Sequence, residues 1–157
     1  MTDLDRLYEQ DYPAWAAQTA ALLRQRRFAE LDLDHLIEDL DDMGRSQRHE
    51  LVNRLRVLLA HLLKWQFQYS RLSERWADFE GRSWRNTIIE QRAALSYLME
   101  KNPGLKRVLE DAIGESYVQA VNLAADETGL PATTFPAECP YQSGQIFSRD
   151  FYPETTG

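Results

Sequence analysis

One cysteine, Cys139, stands among 157 residues, which excludes an intrachain disulfide and any multi-cysteine zinc cage. Long hydrophobic runs are missing too. The longest, Val57–Leu63, has seven residues and is broken by His61, far short of a membrane-crossing helix. Residues 1–10 carry neither the basic start nor the apolar stretch of a secretory signal, so the sequence predicts a cytoplasmic chain with no membrane partner. Glycine is scarce, seven in all, and no glycine-rich phosphate loop, nucleophile elbow or zinc-protease motif is present. The three histidines, His35, His49 and His61, lack the Glu-x-x-His spacing of di-iron bundles. His35 beside Glu38 or Asp39 reads as solvated helix surface. We therefore expect no metal and no cofactor. Cys139, in Glu-Cys-Pro-Tyr, has an acidic neighbour that disfavours the thiolate and reads as structural.

What is there suffices for a core. Hydrophobic residues make up 43% and aromatics 11%, enough apolar area to offset the chain entropy of a single domain over residues 1–157, with a core of about 7–153. The net charge of -7 conceals a pattern. Residues 1–43 hold 4 basic and 11 acidic side chains, residues 44–107 hold 13 and 6, and residues 108–157 hold 1 and 8. The charge therefore runs -7, +7, -7 along the chain. This predicts acidic outer helices around a basic inner pair. The arginines Arg45, Arg48, Arg54, Arg56, Arg82, Arg85 and Arg92 could serve nucleic acid, but Glu38 and Asp42 share a helix face with Arg45 and Arg56 and blunt the field. Nucleic acid is not an expected partner.

Apolar spacing is helical, with no strand-like alternation. Asp11 and Pro13 open a helix over about 12–27. Asp32 or Asp34 caps a second, about 33–69, whose apolar positions from Leu36 to Tyr69 keep one phase through Gly44, where a kink or local loosening is expected. A polar connector, 71–81, precedes a third helix from a Ser83 cap to about Lys101, and Asn102-Pro103 starts a fourth that stops at Gly129. The tail has at most one short helix near 143–149. The prediction is an all-α fold: a compact helical bundle of four principal helices with one long central helix and an irregular C-terminal tail.

Polar residues on apolar faces carry the functional expectations. Residues 57–69 are apolar almost all round, as in a bundle centre or a subunit interface. His61, Lys64 and Gln68 form one stripe there. On the third helix Gln91 interrupts the face of Trp84, Ile88, Leu95 and Leu98. An antiparallel pairing of the two helices would gather His61, Lys64, Gln68, Trp84, Thr87, Gln91 and Arg92 into a polar pocket. It would be either an internal hydrogen-bond network or an anion site, with no nucleophile and activating base in view for catalysis.

The blocks Leu-Tyr-Glu-Gln-Asp-Tyr (7–12), Leu-Asp-Leu-Asp-His-Leu-Ile-Glu-Asp-Leu (31–40), Met-Gly-Arg-Ser (43–46) and His-Leu-Leu-Lys-Trp-Gln (61–66) are followed by Arg-Ser-Trp-Arg-Asn-Thr-Ile (82–88) and Glu-Gln-Arg (90–92). Phe-Pro-Ala-Glu-Cys-Pro-Tyr (135–141) and Asp-Phe-Tyr-Pro (150–153) close the series. Together they resemble the bacterial family catalogued as domain of unknown function 29, over about residues 7–153. The resemblance implies a compact helical domain and brings no catalytic residues with it. The leading functional expectation is a non-enzymatic interaction or scaffolding module, homo-oligomeric through exposed parts of the apolar surface of the second helix, as the apolarity of 57–69 suggests. The alternatives are a binding module for an anionic ligand at Lys64 and Arg92, and an enzyme with His61 as acid or base.

Overall fold

The computed structural model describes residues 3–156, which are all-α, with no strand among them. Six helices follow in order: α1 (Asp3–Gln10), α2 (Tyr12–Arg24), α3 (Leu33–Phe67), α4 (Glu74–Lys101), α5 (Leu109–Thr128) and α6 (Ser143–Phe147). The chain divides into two compact units, Met1–Ser46 and Gln47–Gly157, so the division falls within the long helix α3.

In the first unit, α1 and α2 are separated by one residue, Asp11, whose side chain accepts from the Ala14 amide at 3.2 Å and caps α2. Helix α1 was not anticipated, because its eight residues are too few for a clear apolar period. Helix α2 ends three residues sooner than its arginines suggested. Arg26 adopts φ 57°, and the Arg27 amide reaches back to the Leu22 carbonyl at 2.9 Å, closing the helix with a left-handed residue that is not glycine.

The second unit is organised by the second half of α3. Leu51, Leu55, Leu58, Leu59, Ala60, Leu62 and Leu63 have no solvent exposure. Ile88, Leu95 and Leu98 from α4 and Ala112, Ile113, Tyr117, Ala120 and Ala124 from α5 complete the core with Phe135, Tyr141 and Ile146 from the tail. The tail is irregular yet anchored. Tyr117 donates to the Pro136 carbonyl at 2.6 Å, Tyr141 to Gln66 Oε1 at 2.7 Å, and the Thr156 amide to the Gln66 carbonyl at 2.8 Å. Leu58, Leu59, Ala60, Leu62 and Leu63 are thus enclosed inside this unit, while Val57, Trp65, Phe67 and Tyr69 are half-buried.

One long helix holds as expected, and two later helix starts differ from the sequence reading. Helix α3 is continuous through Gly44, as its phase required. Helix α4 begins at Glu74 after Ser73, which places Ser83 in its interior and turns most of the supposed connector into helix. Pro103–Val108 forms a 3-10 segment, so α5 starts at Leu109, and Gly129 at φ 73° ends it as predicted.

Gly81 explains why the start of α4 was hidden. It looks like a helix breaker, but a Cβ there would lie 2.5 Å from Tyr69 Cε2. Close packing demands the glycine. The Tyr69 ring is itself stacked on Trp65, with centroids 4.9 Å apart, and meets the edge of Trp84. Gly81→Ala is therefore expected to destabilise the chain by about 1–3 kcal/mol through overpacking, despite the better helix propensity of alanine. Urea denaturation checks this, and an unchanged or raised midpoint would show that Tyr69 yields freely.

Candidate functional site

Lys64, the one lysine of α3, is 5% exposed and follows the buried Leu62 and Leu63. A buried ammonium needs compensation. Its Nζ donates to Glu127 Oε2 near the end of α5 and lies 5.5 Å from the Trp84 ring centroid on α4. Lys64, Gln68, Trp84 and Glu127 line one small cleft of about 280 Å³ with Trp76 and Glu80. His61 sits one turn back, its Nε2 3.5 Å from Lys64 Nζ, and its Nδ1–H donates to the Val57 carbonyl at 2.8 Å. Burial, then the Lys64 charge, push the His61 pKa below the ordinary value. It is held as the neutral ring, tied to its own helix.

The remaining three expected residues lie in other settings. Gln91 Oε1 accepts from Arg54 Nη1 at 3.4 Å, and Arg54 also holds Glu50 at 3.0 Å. Thr87 is half-buried and lines a shallow hollow with Phe79, Arg82 and Glu90. Arg92, 3% exposed, turns toward the tail. Its Nε donates to the Ile146 carbonyl at 2.8 Å and its Nη2 to the Gln145 carbonyl at 3.2 Å, both at the C-terminal end of α6. Its Cζ lies 5.4 Å from the Tyr152 ring centroid. Nη1 is buried with no hydrogen-bond partner.

Arg92 belongs to the wall of the largest cleft described, about 610 Å³, shared with Arg85, Tyr97, Phe147, Arg149 and Tyr152. Arg149 and Tyr152 were absent from the expected site. Arg149 nonetheless left a signal in the sequence, being the single basic residue after Arg107. Glu127, the counter-ion of Lys64, left none, since it lies 63 residues away along the chain.

The first unit has its own polar cluster. Asp32, 7% exposed, accepts from Trp15 Nε1 at 3.1 Å and pairs with His35 Nδ1 at 2.5 Å, while Tyr8 stacks on the His35 ring with centroids 3.9 Å apart. Glu38 and Asp39 were the expected neighbours of His35. Asp39 instead accepts from the hydroxyls of both Tyr8 and Tyr12. Asp5 brings a carboxylate oxygen within 4.8 Å of the Asp32 and His35 ligand atoms. With Asp32 already accepting from Trp15 and His35, we read the group as a hydrogen-bonded brace for the start of α3. Cys139 is half-buried and donates to the Tyr141 carbonyl at 3.5 Å, and burial pushes its thiol pKa up, against reactivity.

The two histidines are thus expected to titrate on opposite sides of the ordinary value. The hydrogen bond that the ring donates to the Asp32 carboxylate raises the pKa of His35. Its contribution to stability is present below the unfolded value near 6.5 and fades as pH rises through the folded value. His61, with its pKa lowered, contributes above the unfolded value and is lost as pH falls through the folded one. NMR titration of the imidazoles checks both: Asp32→Asn should lower the His35 midpoint and leave that of His61 in place.

Comparison with known proteins adds the lineage. A model of the family described as Domain of unknown function DUF29 matches residues 7–152, and the chain belongs to that family. No curated protein and no solved structure matches it.

Proposed function

We propose that this member of the DUF29 family is a non-enzymatic interaction module that pairs with a second copy of itself through the first half of α3. The carrying observation is an open apolar stripe. Leu33, Ile37, Leu40 and Met43 recur at helical spacing and are 53%, 54%, 59% and 64% exposed. Within its unit, α3 is held by its polar residues. Trp15 reaches Asp32, Tyr8 and Tyr12 reach Asp39, and Tyr8 stacks on His35, leaving the apolar stripe uncovered.

Such a face favours a partner with the same pattern. An antiparallel, two-fold pairing centred near Leu40 sets Ile37 of one copy beside Met43 of the other and Asp34 near Arg45. Covering half-exposed side chains of this size contributes roughly 1 kcal/mol each, which after the cost of association supports a reversible dimer. Of the stretch 57–69, Leu58, Leu59, Ala60, Leu62 and Leu63 are already buried within their own unit, which leaves the first half of the helix as its open apolar part.

Sedimentation velocity on the full chain tests this. The wild type should shift toward a dimer as concentration rises through the micromolar range, and Ile37→Glu with Leu40→Glu should remain a monomer with unchanged helix content. A wild type that stays monomeric at high micromolar concentration contradicts self-pairing.

A further inference from the structure

We propose that the cleft walled by Arg85, Arg92 and Arg149 binds a small molecule made of an oxyanion, phosphate or carboxylate, attached to an apolar or aromatic body. This site is independent of the stripe on α3.

Charge is the first argument. The chain carries -7 overall, yet this cleft gathers three arginines against one glutamate, Glu100. Elsewhere five of the twelve arginines pair with carboxylates: Arg6 with Asp3, Arg27 with Glu30, Arg45 with Asp42, Arg48 with Glu115, and Arg54 with Glu50. Among the described residues, Arg85, Arg92 and Arg149 take part in no ion pair. For the two exposed arginines that would be unremarkable. For Arg92 it is not.

Burial of Arg92 is the second argument. A guanidinium removed from water is ordinarily matched by a carboxylate, because neutral acceptors return only part of the lost solvation. Arg92 receives two backbone carbonyls and the face of Tyr152, and its Nη1 receives nothing. Burial accordingly pulls its pKa down from the usual arginine value, which marks a destabilised charge. The carbonyls of Gln145 and Ile146 hold the guanidinium at the edge of the cleft. With no carboxylate beside it, its charge remains to be felt by an occupant of the cleft it lines.

The rest of the wall defines the body of the ligand. Tyr97 and Ile89 present apolar surface, 64% and 49% exposed, opposite the rings of Phe147 and Tyr152. A volume of about 610 Å³ suits a molecule of small-cofactor size. An oxyanion at the arginines with a ring or chain along the aromatic residues satisfies both halves of the cleft.

Calorimetric titration of the full chain with phenyl phosphate, benzoate and inorganic phosphate tests the proposal. Phenyl phosphate or benzoate should bind saturably at millimolar concentration or below, and inorganic phosphate, lacking the body, roughly tenfold more weakly or worse. Arg85→Ala with Arg149→Ala should weaken binding by roughly tenfold or more without loss of fold, since both side chains are exposed. Arg92→Lys should abolish it; where that variant fails to fold, the exposed pair decides alone. Absence of saturable binding by both aromatic anions, binding unchanged in the double variant, or inorganic phosphate binding as tightly as phenyl phosphate would each overturn the proposal.

Discussion

The second half of α3 is apolar around nearly its whole circumference, and that constraint governs the larger unit. A helix with one apolar face needs one neighbour, whereas one that is apolar all round must be enclosed. Leu51, Leu55, Leu58, Leu59, Leu62 and Leu63 are sealed by α4, by α5 and by a tail that has little regular structure of its own. Fully burying a leucine is worth about 1.5–3 kcal/mol, so this row dominates any single polar contact in the unit. The tail is held because its aromatic residues Phe135 and Tyr141, together with Ile146, complete that enclosure.

Enclosure also explains where the unusual polar groups lie. Lys64 and Arg92 sit in buried positions, and each reaches out of the core to a different partner: Lys64 to the carboxylate of Glu127, Arg92 to the carbonyls that end α6. The two solutions have different consequences. Lys64 is neutralised and braces α3 against α5, whereas Arg92 ties down the tail while keeping its charge uncompensated. Structural closure and a capacity for anions therefore meet in one side chain.

The helical fold was legible from spacing alone, and most visibly in the phase that runs from Leu36 to Tyr69 without a break at Gly44. Glycine was the less transparent signal. Gly129 announced its left-handed cap, but Gly81 concealed a helix, because its small size serves the Tyr69 ring and only the folded chain shows that ring. The polar exceptions were equally divided. Lys64 and Arg92 stood out as charges on apolar faces, yet their partners lie 53 to 63 residues away and no local pattern connects them. His61 looked like the chemical centre of its stripe, and its own helix turned out to hold its Nδ1 proton.

The central claim is that the buried row of α3 is the keel of the larger unit. Amide hydrogen exchange on the intact chain tests it directly, because one helix contains both an enclosed and an open segment. Amides of residues 51–63 should exchange only through global unfolding, far more slowly than those of 33–43 in the same helix. Equal protection along α3, or faster exchange in 51–63, would contradict the account.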